Sequence, residues 1–73
     1  MHDKLLRIIN IVLENRSKKQ ITFLDPNSNL RTDLGFDSLD LAELTVRIES
    51  EFNIDIFEDG IINTIDEILK KLE

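Results

Sequence analysis

The chain has 73 residues, a formal net charge of -6 and a hydrophobic content of 41%. This length predicts one domain, residues 1–73, whose modest core leaves little room for an enzyme cleft, so we expect no catalytic residues. The absence of cysteine excludes disulfides and thiolate metal sites, and the lack of a long apolar run or signal-peptide pattern favours a cytoplasmic protein without a membrane span.

The first 16 residues have the apolar spacing of a helix. Four apolar residues share one helical face: Leu5, Ile8, Ile9 and Val12. Their i, i+3, i+4, i+7 spacing predicts a helix over about 3–16. Asp3 suits its start, and Lys18 and Lys19 suit its negative C-terminal end.

Residues 17–36 have no sustained hydrophobic period and predict a long loop. Its centre, Asp25-Pro26-Asn27-Ser28-Asn29, is typical of turns. The expected anchors to the core are Phe23, Leu24, Leu30 and Leu34. A loop of this length in a small domain is usually functional.

The second helix is predicted over about 38–52, with Asp37 as its N-cap and Asp40 in its first turn. Its inward face consists of Leu41, Leu44, Ile48 and Phe52. A second, narrower apolar row consists of Leu39, Ala42 and Val46, lined by Asp40, Glu43 and Glu49. The helix is therefore expected to have an inward apolar face and a second face that is both apolar and acidic.

Residues 53–63 are mixed and predict one helical turn around 57–61. The last helix starts clearly, since Thr64 and Glu67 have the spacing of a capping box. Its apolar face is Ile65, Ile68, Leu69 and Leu72. Together these elements predict an all-α fold, a four-helix bundle with three main helices, a short third helix and a long first loop.

The charge is unevenly distributed along the chain. Residues 37–59 contain eight acids and one base, hence -7, whereas residues 1–20 contain two acids and five bases, hence +3. A concentrated acidic patch repels nucleic acid and attracts basic protein partners. A simpler alternative is that the acids only solvate a helix face.

The segment Leu34-Gly35-Phe36-Asp37-Ser38-Leu39-Asp40 lies where the loop meets the second helix. Gly35 permits backbone conformations closed to other residues. Ser38 falls in the first helical turn, where free backbone N–H groups attract anions and phosphate especially. This position suits a serine that carries a phosphodiester, although Asp37 and Ser38 also fit an ordinary helix start.

This segment resembles the attachment motif of acyl carrier proteins. The likeness continues through Glu43-Leu44, Glu49, Glu51-Phe52 and Ile54-Asp55-Ile56 into the final helix. The resemblance implies a free-standing acyl carrier whose 4'-phosphopantetheine arm comes from coenzyme A. A phosphopantetheinyl transferase of the holo-acyl-carrier-protein synthase type would attach it to Ser38, beside Asp37 and Leu39.

The resemblance also implies that the second helix recognises partner enzymes. The matching partner-binding residues are Asp37, Leu39, Asp40, Glu43, Val46 and Glu49. The partners would be acyl-loading, acyl-transfer or synthase enzymes with basic docking patches, visited by a monomeric carrier in fatty-acid, lipid, polysaccharide or secondary-metabolite biosynthesis. Phe57 and Arg47 depart from the pattern of fatty-acid carriers, so a specialised pathway fits equally well.

In this family the acyl chain often folds back into the bundle. The matching residues for such an acyl pocket are Phe36, Leu39, Val46, Ile48, Ile61 and Ile62. Ordinary core packing requires the same residue types, so both interpretations stay open.

Three alternatives remain. An aminoacyl carrier, of the D-alanyl or peptidyl type, would share the arm and the mechanism. A helical interaction module without a prosthetic group would use the same face of the second helix. Asp25, Asn27 and Asn29 imitate a calcium loop, but Leu30 and Phe36 replace its glycine and its bidentate glutamate, so we expect no metal site.

Overall fold

The computed structural model describes residues 2–58 and 60–73. Within these ranges the chain forms three α-helices: α1 (His2–Asn15), α2 (Ser38–Phe52) and α3 (Ile65–Leu72). Extended pairing in the described part is limited to one isolated bridge between Asn29 and Thr64. The predicted all-α class is confirmed. Of the three described helices, none has both the length and the apolar character needed to cross a bilayer.

The apolar faces of the three helices meet in one core. The fully buried apolar residues of the helices are Leu5, Ile9, Val12, Leu13, Leu44, Ile48, Ile65 and Ile68. These residues follow the helical spacing seen in the sequence, because burying one apolar stripe per helix is the main source of stability for short helices. Ile56 and Ile62, from the segment between α2 and α3, complete this core.

The long loop is tied to the core by Leu30 and Phe36, both buried, while Leu24 and Leu34 pack partly against it. The prediction that Phe23 anchors the loop is wrong, since its ring is 66% exposed. Backbone hydrogen bonds hold the middle of the loop, including Leu30, against the start of α3. Leu30 N–H donates to the carbonyl of Asn63 at 2.8 Å, and Ile65 N–H donates to that of Ser28 at 3.1 Å, joining the loop to the start of α3.

The side chains that imitate a calcium loop close turns instead. Asp25 Oδ1 accepts the N–H of Asn27, and Asn29 Oδ1 accepts the N–H groups of Arg31 and Thr32. In the ranges that the structure describes, no group of three or more acidic or histidine side chains is placed to hold a metal ion.

Asn10 of α1 fixes the start of the loop. Its Nδ2 donates to the carbonyl of Ile21 at 2.9 Å, and its Oδ1 accepts the N–H of the same residue at 2.8 Å. Both backbone groups are partly buried, so the loss of their partners has a cost.

We expect Asn10→Ala to lower the free energy of unfolding by about 1–2 kcal/mol, because two partly buried backbone groups lose their partner. Urea unfolding checks this. Asn15→Ala is the matched control on the same helix, since Asn15 donates only to the side chain of Glu43. Equal midpoints for the two variants would contradict the anchoring role of Asn10.

The segment after α2 forms turns. Asn53 adopts φ 58°, a left-handed conformation that ends the helix, and its N–H donates to the carbonyl of Glu49. A helical turn was predicted around 57–61. The described residues of that range form hydrogen-bonded turns rather than a helix, through bonds from Glu58 to Asp55 and from Gly60 to Phe57. Residue 59 lies outside the described ranges.

The start of α3 is capped, although differently from the predicted box. Thr64 Oγ1 accepts the N–H of Glu67 at 3.3 Å, as expected. The Glu67 carboxylate, however, accepts the N–H of Asn63 and the hydroxyl of Thr64. The reciprocal bond thus reaches the N–H of Asn63, one residue before the N-cap.

Candidate functional site

Ser38 is the first residue of α2, and its side chain is exposed. The predicted N-cap is confirmed: Asp37 Oδ1 accepts the N–H of Asp40 at 2.9 Å. Asp40 Oδ2 in turn accepts the N–H of Asp37 at 3.0 Å, which completes a capping box. Because two aspartates cap the helix, the hydroxyl of Ser38 is not needed for capping.

The residues before Ser38 turn the chain outward. Gly35 has φ 77°, a left-handed conformation that favours glycine, and a Cβ placed there would meet no atom within 4 Å. The glycine is therefore needed for the turn, and the space beside it is open. Phe36 is buried, and its N–H donates to the carbonyl of Leu30 at 2.9 Å. This anchor and this turn place Asp37 and Ser38 at the surface.

Two basic residues from the turn after α1 bind the start of α2. Lys18 Nζ donates to Asp40 Oδ2 at 2.8 Å and also to the carbonyl of Gly35. Arg16 Nη2 donates to Asp37 Oδ2 at 3.0 Å. Arg16 Nε lies 2.9 Å from Asp40 Oδ1, close enough for an ion pair but without hydrogen-bond alignment. We call Arg16, Lys18, Asp37 and Asp40 the charge cluster.

Asp40 is fully buried within this cluster. Burial raises the pKa of its carboxyl, but hydrogen bonds from Lys18 and from the N–H of Asp37, with the charges of Arg16 and Lys18, outweigh that effect. The pKa of Asp40 is consequently held below its ordinary value. Asp40 is a charged residue that links the segment after α1 to the start of α2.

The other acids of α2 are also mostly paired. Glu43 accepts hydrogen bonds from Arg47 Nε at 2.8 Å and Asn15 Nδ2 at 2.9 Å, and these bonds lower its pKa. Glu51 pairs with Lys4 at 3.2 Å. Glu49 is exposed and has no basic group within 4 Å among residues 2–58 and 60–73.

The predicted partner-binding residues fall into three groups. Leu39, Val46 and Glu49 are exposed on α2, Asp37 is exposed at its N-cap, and Glu43 is half-buried. Asp40 was predicted to lie on the exposed face, but it is buried. Its capping bond and two cations draw it inward, so its carboxylate is not presented to a partner.

The six residues predicted for an acyl pocket do not form one set in this structure. Phe36, Ile48 and Ile62 are buried in the core. Leu39, Val46 and Ile61 are exposed by 68%, 67% and 77%. All six side chains are apolar, so residue type alone does not separate the buried group from the exposed one.

Arg16, Lys18 and Asn15 were not predicted as part of this site. Lys18 was expected to face the end of α1, and instead binds α2. The opposite charges of residues 1–20 and 37–59 were the available signal, but charge alone does not reveal which pairs form.

The fold and this site define a small helical domain that presents one serine at the start of a helix. The chain belongs to the phosphopantetheine-attachment family, whose model, described as "Phosphopantetheine attachment site", matches residues 3–72. It is 31% identical over 75 residues to an acyl carrier protein of Trieres chinensis, an alignment that covers 100% of this chain and 94% of that protein. No solved structure is significantly similar. The predicted family resemblance is confirmed.

The prosthetic group of this family is a covalently bound 4'-phosphopantetheine, and the site fits it. The N–H groups of Ser38 and Leu39 precede the first intrahelical donor, Leu41, which bonds to Asp37 at 3.0 Å. Such free donors at a helix start favour a phosphate. When bound, the group supplies the thiol that this cysteine-free chain lacks.

Proposed function

We propose that residues 1–73 form an acyl carrier domain in which Ser38 is the attachment residue for 4'-phosphopantetheine from coenzyme A. One observation carries the proposal: within the matched region, Ser38 is exposed at the first position of α2 and is not part of the cap. Asp37 and Leu39 flank it and would border the attached phosphate.

The chain is proposed to carry acyl groups as thioesters without catalysing their chemistry. The carboxylates beside Ser38 are occupied: Asp37 and Asp40 bind backbone N–H groups and cations. The single histidine, His2, begins α1, whereas the charge cluster adjoins the far end of that helix, about 20 Å away. A transferase would therefore supply the base that activates Ser38.

Partner enzymes with basic docking patches are proposed to bind Asp37, at the N-cap of α2, and four residues of the helix itself: Leu39, Glu43, Val46 and Glu49. Tethering raises the effective concentration of the cargo at each enzyme, and such docking should be brief. We further propose a cytoplasmic monomer that serves fatty-acid, lipid, polysaccharide or secondary-metabolite synthesis. The short third element of the predicted four-helix bundle would correspond to the hydrogen-bonded turns between α2 and α3.

The test is the intact mass of the purified chain after incubation with coenzyme A and a phosphopantetheinyl transferase of broad specificity. We expect the gain of one phosphopantetheine, located on Ser38 by peptide mapping. An unmodified chain would favour the interaction module without a prosthetic group.

An aminoacyl carrier is the second candidate function, because it uses the same serine and the same arm. Incubating the loaded chain with acyl and aminoacyl ligases, and reading the bound mass, separates the two. We expect acyl loading, since the chain is 31% identical to an acyl carrier protein over its whole length.

A further inference from the structure

Arg16 binds the cap of α2 with only part of its guanidinium. This group carries five N–H donors, divided between a side face, formed by Nε and Nη2, and an end face, formed by Nη1 and Nη2. The side face lies on the cap: Nη2 donates to Asp37 Oδ2 at 3.0 Å, and Nε lies 2.9 Å from Asp40 Oδ1. Among residues 2–58 and 60–73, Nη1 has no acceptor, so the end face is available to a further anion.

The charge cluster is balanced before the arm is attached and unbalanced afterwards. Arg16 and Lys18 cancel Asp37 and Asp40, since two cations and two carboxylates sum to zero. A phosphodiester on Ser38 adds one negative charge next to Asp37, so three anionic groups would share two cations. Lys18 Nζ already donates to two oxygen atoms. The end face of Arg16 is therefore the part of the cluster that can bind the new anion.

We propose that Arg16 positions the arm by binding its phosphodiester through the end face, while the side face stays on Asp37 and Asp40. This inference rests on the proposed carrier function and adds a residue to its site. Arg16 is close enough, because it contacts the side chain of Asp37, whose Cα atom is about 3.8 Å from that of Ser38. Its side chain is also 37% exposed, so the end face is accessible to a phosphate on the surface.

Arginine suits this role better than lysine. Two parallel N–H groups of its end face match two phosphate oxygens, which fixes the direction of the contact as well as its charge. Arg16 would therefore hold the root of the arm against the start of α2, and the thiol end would remain free to enter a partner's active site.

The first test is a cycle of four urea-unfolding measurements: the parent and Arg16→Gln, each before and after attachment of phosphopantetheine. Arg16→Gln also loses contacts to the cap, but this loss is present before attachment and cancels when each protein is compared with its own unmodified form. We expect attachment to favour the folded parent more, by about five-fold in the unfolding equilibrium constant, as a partly exposed ion pair does. An equal effect of attachment in both proteins would overturn the inference.

Lys19→Gln is the matched control for net charge. It removes one positive charge from an exposed position three residues after Arg16. We expect attachment to affect the stability of Lys19→Gln as it affects that of the parent. Loss of the difference in this variant as well would assign the effect to net charge and would contradict a specific role of Arg16.

The second test observes the phosphate itself by phosphorus NMR. The modified parent unfolded in urea gives the resonance of a phosphodiester without contacts, and the folded parent should be displaced from it. We expect Arg16→Gln to lose most of this displacement and Lys19→Gln to keep it. Arg16→Lys preserves the charge on the cap without the planar end face, so it should be intermediate, and it provides the comparison if Arg16→Gln is unfolded. A resonance that no Arg16 variant shifts would refute the contact.

Failure of the carrier function has a different signature. A parent chain that gains no phosphopantetheine would contradict the proposed function and this inference with it. A modified chain whose phosphate resonance and stability do not depend on Arg16 would contradict only the inference.

Discussion

Replacing Ser38 by alanine is expected to abolish phosphopantetheine attachment while leaving the fold intact. The hydroxyl is the proposed nucleophile, and no other group of the side chain replaces it. Alanine is a good helix former, and the capping bonds of Asp37 and Asp40 do not involve the hydroxyl. We therefore expect the free energy of unfolding to stay within about 0.5 kcal/mol of the parent.

Intact mass after exhaustive incubation with coenzyme A and transferase measures attachment, and urea unfolding measures stability. Ser50→Ala is the matched control, since Ser50 is an exposed serine near the other end of the same helix. It should be modified at the parental rate. Persistent modification of Ser38→Ala would place the attachment elsewhere, and strong destabilisation would assign the hydroxyl a structural role.

The features that depend on local chemistry were predictable from the sequence. The bounds of α2 match the prediction because Asp37 and Asp40 form a cap between near neighbours, and Phe52 precedes the left-handed Asn53. The α1 bounds differ by one residue at each end, which is the usual uncertainty of helix ends. Periodicity also identified the buried faces of all three helices.

The features that depend on distant contacts were not predictable. Asp40 has the sequence context of a surface acid, but Lys18 and Arg16, more than twenty residues earlier, make its burial favourable. Leu39 and Phe36 are both large and apolar, yet one is exposed and the other buried. No periodic pattern assigns the pairs Asn15–Glu43 or Arg16–Asp37, because side chains far apart in sequence must first be brought together by the core.

Asp40→Ala is expected to lower the free energy of unfolding by about 2–4 kcal/mol, since it removes a buried charge partner and a capping acceptor together. Arg16 and Lys18 stay about one-third exposed, so water would compensate them partly. Against the 5–15 kcal/mol typical of small domains, this is a large loss. Glu49→Ala, which breaks no ion pair on the same helix, should change stability by less than about 0.5 kcal/mol.

Asp40→Asn separates the charge of this carboxylate from its shape. The amide oxygen can still accept the N–H of Asp37, so the variant should be intermediate between the parent and Asp40→Ala. Its unfolding should retain the cooperative transition of the parent. Stability equal to that of the parent at neutral pH would show that the ion pairs with Arg16 and Lys18 contribute nothing.

The difference in stability between the parent and Asp40→Asn should depend on pH, and this dependence tests whether Asp40 is charged in the folded state. The folded pKa of Asp40 lies below its ordinary value of 3.8, so the unfolded chain binds the proton more readily. The stabilisation of the fold by ionised Asp40 is therefore complete at pH values above its ordinary pKa, and it is lost as the pH falls through the folded pKa. Urea midpoints of the parent and Asp40→Asn should converge as the pH is lowered below about 4. Other carboxylates titrate in both proteins and cancel in the comparison, so a constant gap across that range would refute a charged Asp40 in the folded state.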